Sequence, residues 1–176
     1  MIDARHYCEA ATLRDGRAVV VRAVRAGDKA AMLAAFHALD PSTVYSRLFG
    51  THGETTEAEL RAWTEVDFVA VIRLLVWLPG AEGERVIGGA TCARLTPADP
   101  AAGAEIAFTI EEDFHGQGLA GQLLQHLVRI ARAAGIPRFV AETLPANRAM
   151  LAVFAHSGLP MTSTHGDGVV FVTLAL

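Results

Sequence analysis

The chain has 176 residues, 52% of them hydrophobic, with a mean hydropathy of +0.32, which suits one packed domain and excludes a disordered chain. A net charge of −4 and a pI near 5.9 argue against a nucleic-acid partner. No apolar run approaches the roughly 18 residues of a membrane span, and the N-terminus (MIDARHYCEA) has no apolar signal segment, so no membrane partner and a cytoplasmic location are expected. Cys8 and Cys92 are too few for a disulfide framework, and the seven histidines lack ligand spacing, so no metal is expected.

Residues 17–22 (RAVVVR) read as the first strand, after the turn at Asp15-Gly16, and residues 1–16 read as an N-terminal extension. Asp28 precedes a helix whose Met32, Leu33, Phe36 and Leu39 share one face. A short helix is predicted over residues 43–49, and a third over 57–65, capped by Thr55 or Thr56 and acidic in its first turn. Strands follow at 68–78, 85–95 and 104–110, with linkers short enough for an antiparallel meander. Gly88-Gly89 marks a bulge or a close backbone approach within the second. A helix carrying Leu119, Leu123, Leu127, Ile130 and Ala134 along one side stops at Gly135 and Pro137. A strand at 138–143, a helix at 147–156 and a hairpin over 160–176, turning at His165-Gly166-Asp167-Gly168, complete the chain.

The segment 104–124 (AEIAFTIEEDFHGQGLAGQLL) carries the most chemistry. An apolar strand passes through a polar turn into a glycine-rich loop that opens a helix, an arrangement that offers free N–H donors to a phosphate. Gly116, Gly118 and Gly121 spell G-x-G-x-x-G, and Glu142 follows about 20 residues on, as in a dinucleotide fingerprint. Five residues (Glu111 to His115) separate Ile110 from the first glycine, however, and the unit lies two-thirds along the chain. Both facts argue against a Rossmann domain. A kinase-type loop needs a lysine on a following strand, and the only lysine is Lys29, far upstream.

Shifted by one residue, His115-Gly116-Gln117-Gly118-Leu119-Ala120 follows R/Q-x-x-G-x-G/A, with His at the first position. This resembles the pyrophosphate loop of the GNAT superfamily of acyl-CoA-dependent N-acetyltransferases, and the order of elements follows the GNAT plan with one extra short helix near the front. More narrowly, TLRDGRAVVVRAVRAGD, VYSRLFG, LRAWTEVDF and AEIAFTI resemble the acetyltransferase domain of bacterial Pat-type protein-lysine acetyltransferases. The resemblance implies an α/β fold of the α+β type, a mixed and mostly antiparallel central sheet flanked by helices, with a splayed acyl-CoA-binding strand. It implies a single acetyltransferase domain over 1–176. Pat-type domains are often fused to a regulatory domain that this chain lacks. Met1 favours a stand-alone domain, a missing regulatory half being the other reading.

The same resemblance implies acetyl-CoA as co-substrate and a set of site residues. Backbone amides of Gly116, Gln117, Gly118, Leu119, Ala120 and Gly121 would hold the pyrophosphate, where glycine lets the chain approach closely. His115 either touches a phosphate or faces solvent. Phe108, Thr109 and Ile110 lie on the splayed strand, whose free edge would bond the pantetheine arm as an added strand does, and the Ile110 amide would be the oxyanion donor. Asn147 and Met150 would lie near the cofactor arm, Asn147 also reading as a plain helix N-cap.

An amine acceptor must lose a proton, because a lysine ammonium has a pKa near 10.4. Glu105, in the Pat-type A-E-x-A pattern, is the expected general base, the alternative being a structural ion pair. Glu111, Glu112 and Asp113 read as solvated turn residues. Phe154 stands where many family members place the Tyr that protonates the departing thiolate. The implied activity is acetyl transfer to a protein lysine. A small-molecule amine N-acetyltransferase and a non-catalytic acyl-CoA sensor remain as alternatives, and Glu105 argues against the sensor.

Overall fold

Strand alternation sets the sheet. In the computed structural model, which describes residues 1–40 and 55–176, Val19, Val21 and Ala23 of the strand Ala18–Ala23 are buried and alternate with less buried residues. That strand is β2, not the first. Residues 1–16, expected as an extension, contain β1 (Cys8–Thr12), which pairs antiparallel with β2 from Cys8↔Arg22 to Thr12↔Ala18. Tyr7 and Leu13, on either side of β1, are core residues. The helix expected at 43–49 lies outside the described residues.

The remaining elements follow within a few residues of expectation. They are α1 (Lys29–Ala38), α2 (Glu57–Thr64), β3 (Val71–Gly80), β4 (Gly83–Arg94), β5 (Ala104–Ile110), α3 (Leu119–Ala133), β6 (Arg138–Thr143), α4 (Arg148–Ala155), β7 (Met161–Gly166) and β8 (Val169–Ala175). Thr56 caps α2 in a reciprocal box, its Oγ1 accepting from Glu59 N while Glu59 accepts from Thr56 N. The final hairpin turns at Asp167 and Gly168, both at positive φ (51° and 77°), the type I′ geometry that fits strand twist.

All eight strands form one sheet in the order β1-β2-β3-β4-β5-β6-β8-β7. Neighbours are antiparallel except β5 and β6, which run parallel. Both properties foreseen for Gly88-Gly89 occur. The register of β3 against β4 jumps from Val76↔Gly88 to Trp77↔Val86, so Ile87 is a bulged residue. A Cβ on Gly89 would stand 2.6 Å from the Leu74 carbonyl oxygen, and one on Gly88 would stand 2.9 Å from that of Thr109.

The core lies on both faces of this sheet. On one face α3 buries Leu119, Leu123, Leu124, Leu127, Ile130 and Ala131, each leucine contributing about 1.5–3 kcal/mol by transfer from water. Ala134, expected on that stripe, is exposed and serves as the C-cap, with Ala131 turned inward instead. On the other face α1 and α2 supply a smaller cluster built on Met32, Leu60, Trp63, Leu75 and Trp77. Among the described residues no helix is long and apolar enough to cross a membrane.

Candidate active site

The parallel pair β5 and β6 stays together only briefly. Its register covers Ala104↔Phe139 and Glu105↔Val140 and goes no further, whereas β5 remains paired with β4 along its whole length. The two strands therefore part beyond Glu105, and the splay expected of this strand is present. Antiparallel ladders exchange hydrogen bonds at alternate residues. Because Glu111 N donates to the Ile87 carbonyl at 2.9 Å, Thr109 and Ala107 share that phase and bond toward β4. Phe108 and Ile110 consequently turn their N–H and C=O groups into the opening, where His115 holds the Ile110 carbonyl and the other groups form an edge that can bond an extended ligand arm.

The loop that follows is shaped by its glycines. Gly116 and Gly118 have φ of 75° and 79°, in the left-handed region that side chains rarely adopt. The first bond of α3 runs from Gln122 N to the Gly118 carbonyl at 3.2 Å. The amides of residues 118–121 accordingly have no partner inside the helix, and they sit at its positive end. A Cβ on Gly116 or Gly121 would meet nothing within 4 Å, so this side of the loop is open.

The opposite side of the loop is fastened by the turn between β1 and β2, a contact the sequence did not announce. Arg14 N donates to the Gln117 carbonyl (3.2 Å) and Arg14 Nη1 to the Gly116 carbonyl (3.1 Å). Asp15 N donates to Gln117 Oε1 (3.1 Å), and Gln122 Nε2 to the Thr12 carbonyl (2.8 Å). The N-terminal hairpin thus holds the loop carbonyls while leaving the amides of residues 118–121 outside its grip. His115 is exposed, in keeping with its solvent-facing reading, and its Nε2 donates to the Ile110 carbonyl at 2.9 Å.

Asn147 caps α4 through Oδ1, which accepts from Met150 N at 3.1 Å, and Met150 packs against the main core. Phe154 is buried, its ring centroid 6.3 Å from that of Phe108. An apolar ring therefore stands beside the splayed strand.

Glu105 is exposed and sits at the last paired position of the splay, opposite Ala93 on β4. By strand parity it shares a face with Ala107 and Thr109, the face toward α1 and α2. Five residues of strand, about 17 Å, separate it from Ile110. Glu111, read from sequence as a solvated turn residue, has a side chain only 12% exposed, and Oε2 accepts from Arg85 Nη1 at 2.6 Å. The partner lies 26 positions away, too far to be found by local pattern.

On the same face, between α1 and β3–β5, is a pocket bordered by Arg73, Thr91, Thr109 and Glu111 and walled by apolar side chains of α1. The site thus has two approaches to one strand: an open loop and edge on the side of α3 and β6, and a pocket on the side of α1. A thioester threaded along the edge would meet a nucleophile from the pocket.

The family model of the acetyltransferase (GNAT) domain matches residues 18–160. The chain is 29% identical over 150 residues to the acetyltransferase PA5475 of Pseudomonas aeruginosa, covering 85% of this chain and 77% of that protein. The GNAT domain of PAT from S. lividans superposes with a TM-score of 0.82 at 30% identity, covering 96% of this chain and 97% of that one. The structure of yncA from Salmonella typhimurium with its cofactor acetyl-CoA shares the fold at a TM-score of 0.68 and 18% identity, with 90% and 92% of the two chains covered. Loop, splayed edge, element order and these relationships converge: the chain belongs to the GNAT family of acetyltransferases, enzymes whose co-substrate is acetyl-CoA.

Proposed function

We propose that the protein acetylates the ε-amine of a lysine on another protein, as one cytoplasmic domain acting by direct transfer. Acetyl-CoA lies with its pyrophosphate on the amides of residues 116–121 and its pantetheine arm along the Phe108 and Ile110 edge. The amine nitrogen enters from the α1 side and attacks the thioester carbonyl carbon. The carbonyl electrons move to oxygen, where the Ile110 N–H, already aimed into the opening, stabilises the developing oxyanion.

Collapse of that intermediate breaks the C–S bond and releases the CoA thiolate. A thiol of this kind has a pKa near 8.5, so departure needs no dedicated acid, which suits Phe154 in place of a tyrosine. Glu105 takes one ammonium proton before attack, and the second, shed by the nitrogen as the amide forms, passes to the departing thiolate. With about 17 Å of strand between Glu105 and Ile110, ordered water carries the proton part of the way. Exposure of Glu105 allows this, and no competing ion pair to Glu105 occurs among the described residues.

The observation that carries the protein-lysine reading is the near full-length relationship to the S. lividans PAT domain. A CoA-release assay against a protein pool and an amine library tests it. The expected result is CoA release with acetyl-lysine formed in the protein pool. Acetylation of a small amine, with no acetyl-lysine in any protein, would refute it in favour of a metabolite acetyltransferase.

A further inference from the structure

The pocket under α1 contains a cation that nothing in the acetyl-transfer scheme uses. Arg73 projects from β3 between Thr91, its cross-strand partner on β4, and the C-terminal end of α2. Its Nε donates to Thr91 Oγ1 at 3.1 Å and its Nη1 to the Trp63 carbonyl at 2.6 Å. A guanidinium has five N–H groups, so three have no partner among the described residues. Burial pulls this group down to about 10, and it remains a cation at neutral pH, while Glu111, the carboxylate bordering the same pocket, is paired with Arg85.

Two further observations point outward from Arg73. The walls beside it are apolar, built from Met32, Phe36 and Leu39, so a charge there is poorly solvated and gains strongly from a counter-ion. Thr109 Oγ1, on the strand that would hold the thioester, is buried without a hydrogen-bond partner among the described residues. Arg73 and Ala107 stand on β3 and β5 with one strand between them, aligned through Thr91, about 10 Å apart at the backbone. A ligand anchored at Arg73 can therefore reach the edge where acetyl transfer occurs.

We propose that Arg73 determines acceptor specificity by pairing with a carboxylate on the acceptor, several ångströms from the amine that is acetylated, with Thr109 Oγ1 as a second polar contact. This rests on the acetyltransferase reading above and narrows its substrate class. The carboxylate has two possible sources, the free end of an amino-acid-like molecule or an acidic residue flanking the target lysine. A charged, desolvated hydrogen bond of this kind corresponds to a preference of about tenfold or more.

The test uses two matched pairs of ε-amines with the full chain. One pair is Nα-acetyl-lysine against its C-terminal amide. The other is a peptide with Glu beside its only lysine against the same peptide with Gln. CoA release should favour the carboxylate member of at least one pair by about tenfold, through KM rather than kcat, and the pair that responds identifies the source. Arg73→Gln should bring that ratio to about one while acetyl-CoA affinity stays unchanged. Should Arg73→Gln fail to fold because Trp63 loses its donor, Arg73→Lys, which keeps a charge but not the fork, should still lower the ratio. Equal rates within both pairs for the wild-type protein, or a preference that survives in the arginine variants, would overturn the proposal. If no ε-amine is turned over, the lysine reading fails on its own. Calorimetry of the same pairs on the CoA-loaded protein then decides this inference, with a carboxylate preference supporting it and equal binding ending it.

Discussion

His115 Nε2 donates a 2.9 Å hydrogen bond to the Ile110 carbonyl, so the first residue of the phosphate loop grips the last residue of the splayed strand. The loop that would bind pyrophosphate and the amide that would bind the oxyanion are thus fixed relative to one another across the polar turn 111–114. A neutral hydrogen bond of this kind contributes about 0.5–1.5 kcal/mol. His115→Ala should therefore raise the KM for acetyl-CoA and lower kcat, each by no more than about tenfold, without unfolding the chain. Steady-state kinetics checks this, and an unaltered KM and kcat would show that the bond positions nothing.

Glu105→Gln separates chemistry from binding. General-base catalysis contributes on the order of 10²–10⁴-fold, so kcat should fall by that much. Acetyl-CoA affinity should hold, since Glu105 lies at the opposite end of β5 from the loop. Raising the pH should restore part of the rate, because more of the acceptor amine is then already neutral. A variant with the wild-type kcat at neutral pH would make this carboxylate structural.

Periodicity made most of this fold legible. The strand at 138–143, the leucine-rich face of the helix after the loop and the Asp167-Gly168 turn follow from apolar spacing and glycine placement alone. β1 escaped because Cys8–Thr12 (CEAAT) is an edge strand with four of its five residues exposed, leaving no apolar alternation to read. At the site, the glycine loop was visible because its chemistry is local to six residues. Glu111 with Arg85 and Arg14 with the loop carbonyls were not, because each contact depends on how separate segments meet, and His115 with Ile110 was not, because it depends on how the turn between them folds back. Arg73 sits among the apolar residues of β3 and gains its meaning from Thr91, Trp63 and α1, which only the fold brings to it.

Acid should weaken the N-terminal attachment. Tyr7 and His126 join the segment preceding β1 to α3, with Tyr7 Oη 2.6 Å from His126 Nδ1 and Arg129 Nη2 2.8 Å from the same nitrogen. Arginine can only donate, so Nδ1 accepts and the ring is neutral. Burial first, then the Arg129 charge, holds this imidazole below its ordinary value near 6.5, with Glu9 opposing weakly. The unfolded chain therefore binds the proton more readily. The contribution to stability is complete above about pH 6.5 and is lost as the pH falls below it. Melting temperatures measured from pH 8 to 5 should show this decline in the wild-type protein and a shallower one in His126→Gln. Identical profiles would remove His126 from the account.

Acetyl-CoA titrated calorimetrically into the wild-type protein and into Gly118→Asp tests the central claim, that the 115–121 loop holds the co-substrate. Gly118 caps α3 in the left-handed region at φ 79°, and a Cβ there would stand 3.3 Å from Arg14 Nε. An aspartate adds strain, bulk and a negative charge beside the amides that would receive the phosphates. The account predicts saturable binding to the wild-type protein and a loss of at least about a hundredfold in affinity for a folded Gly118→Asp, about 2.7 kcal/mol or more. Equal affinity in the two folded proteins would contradict it.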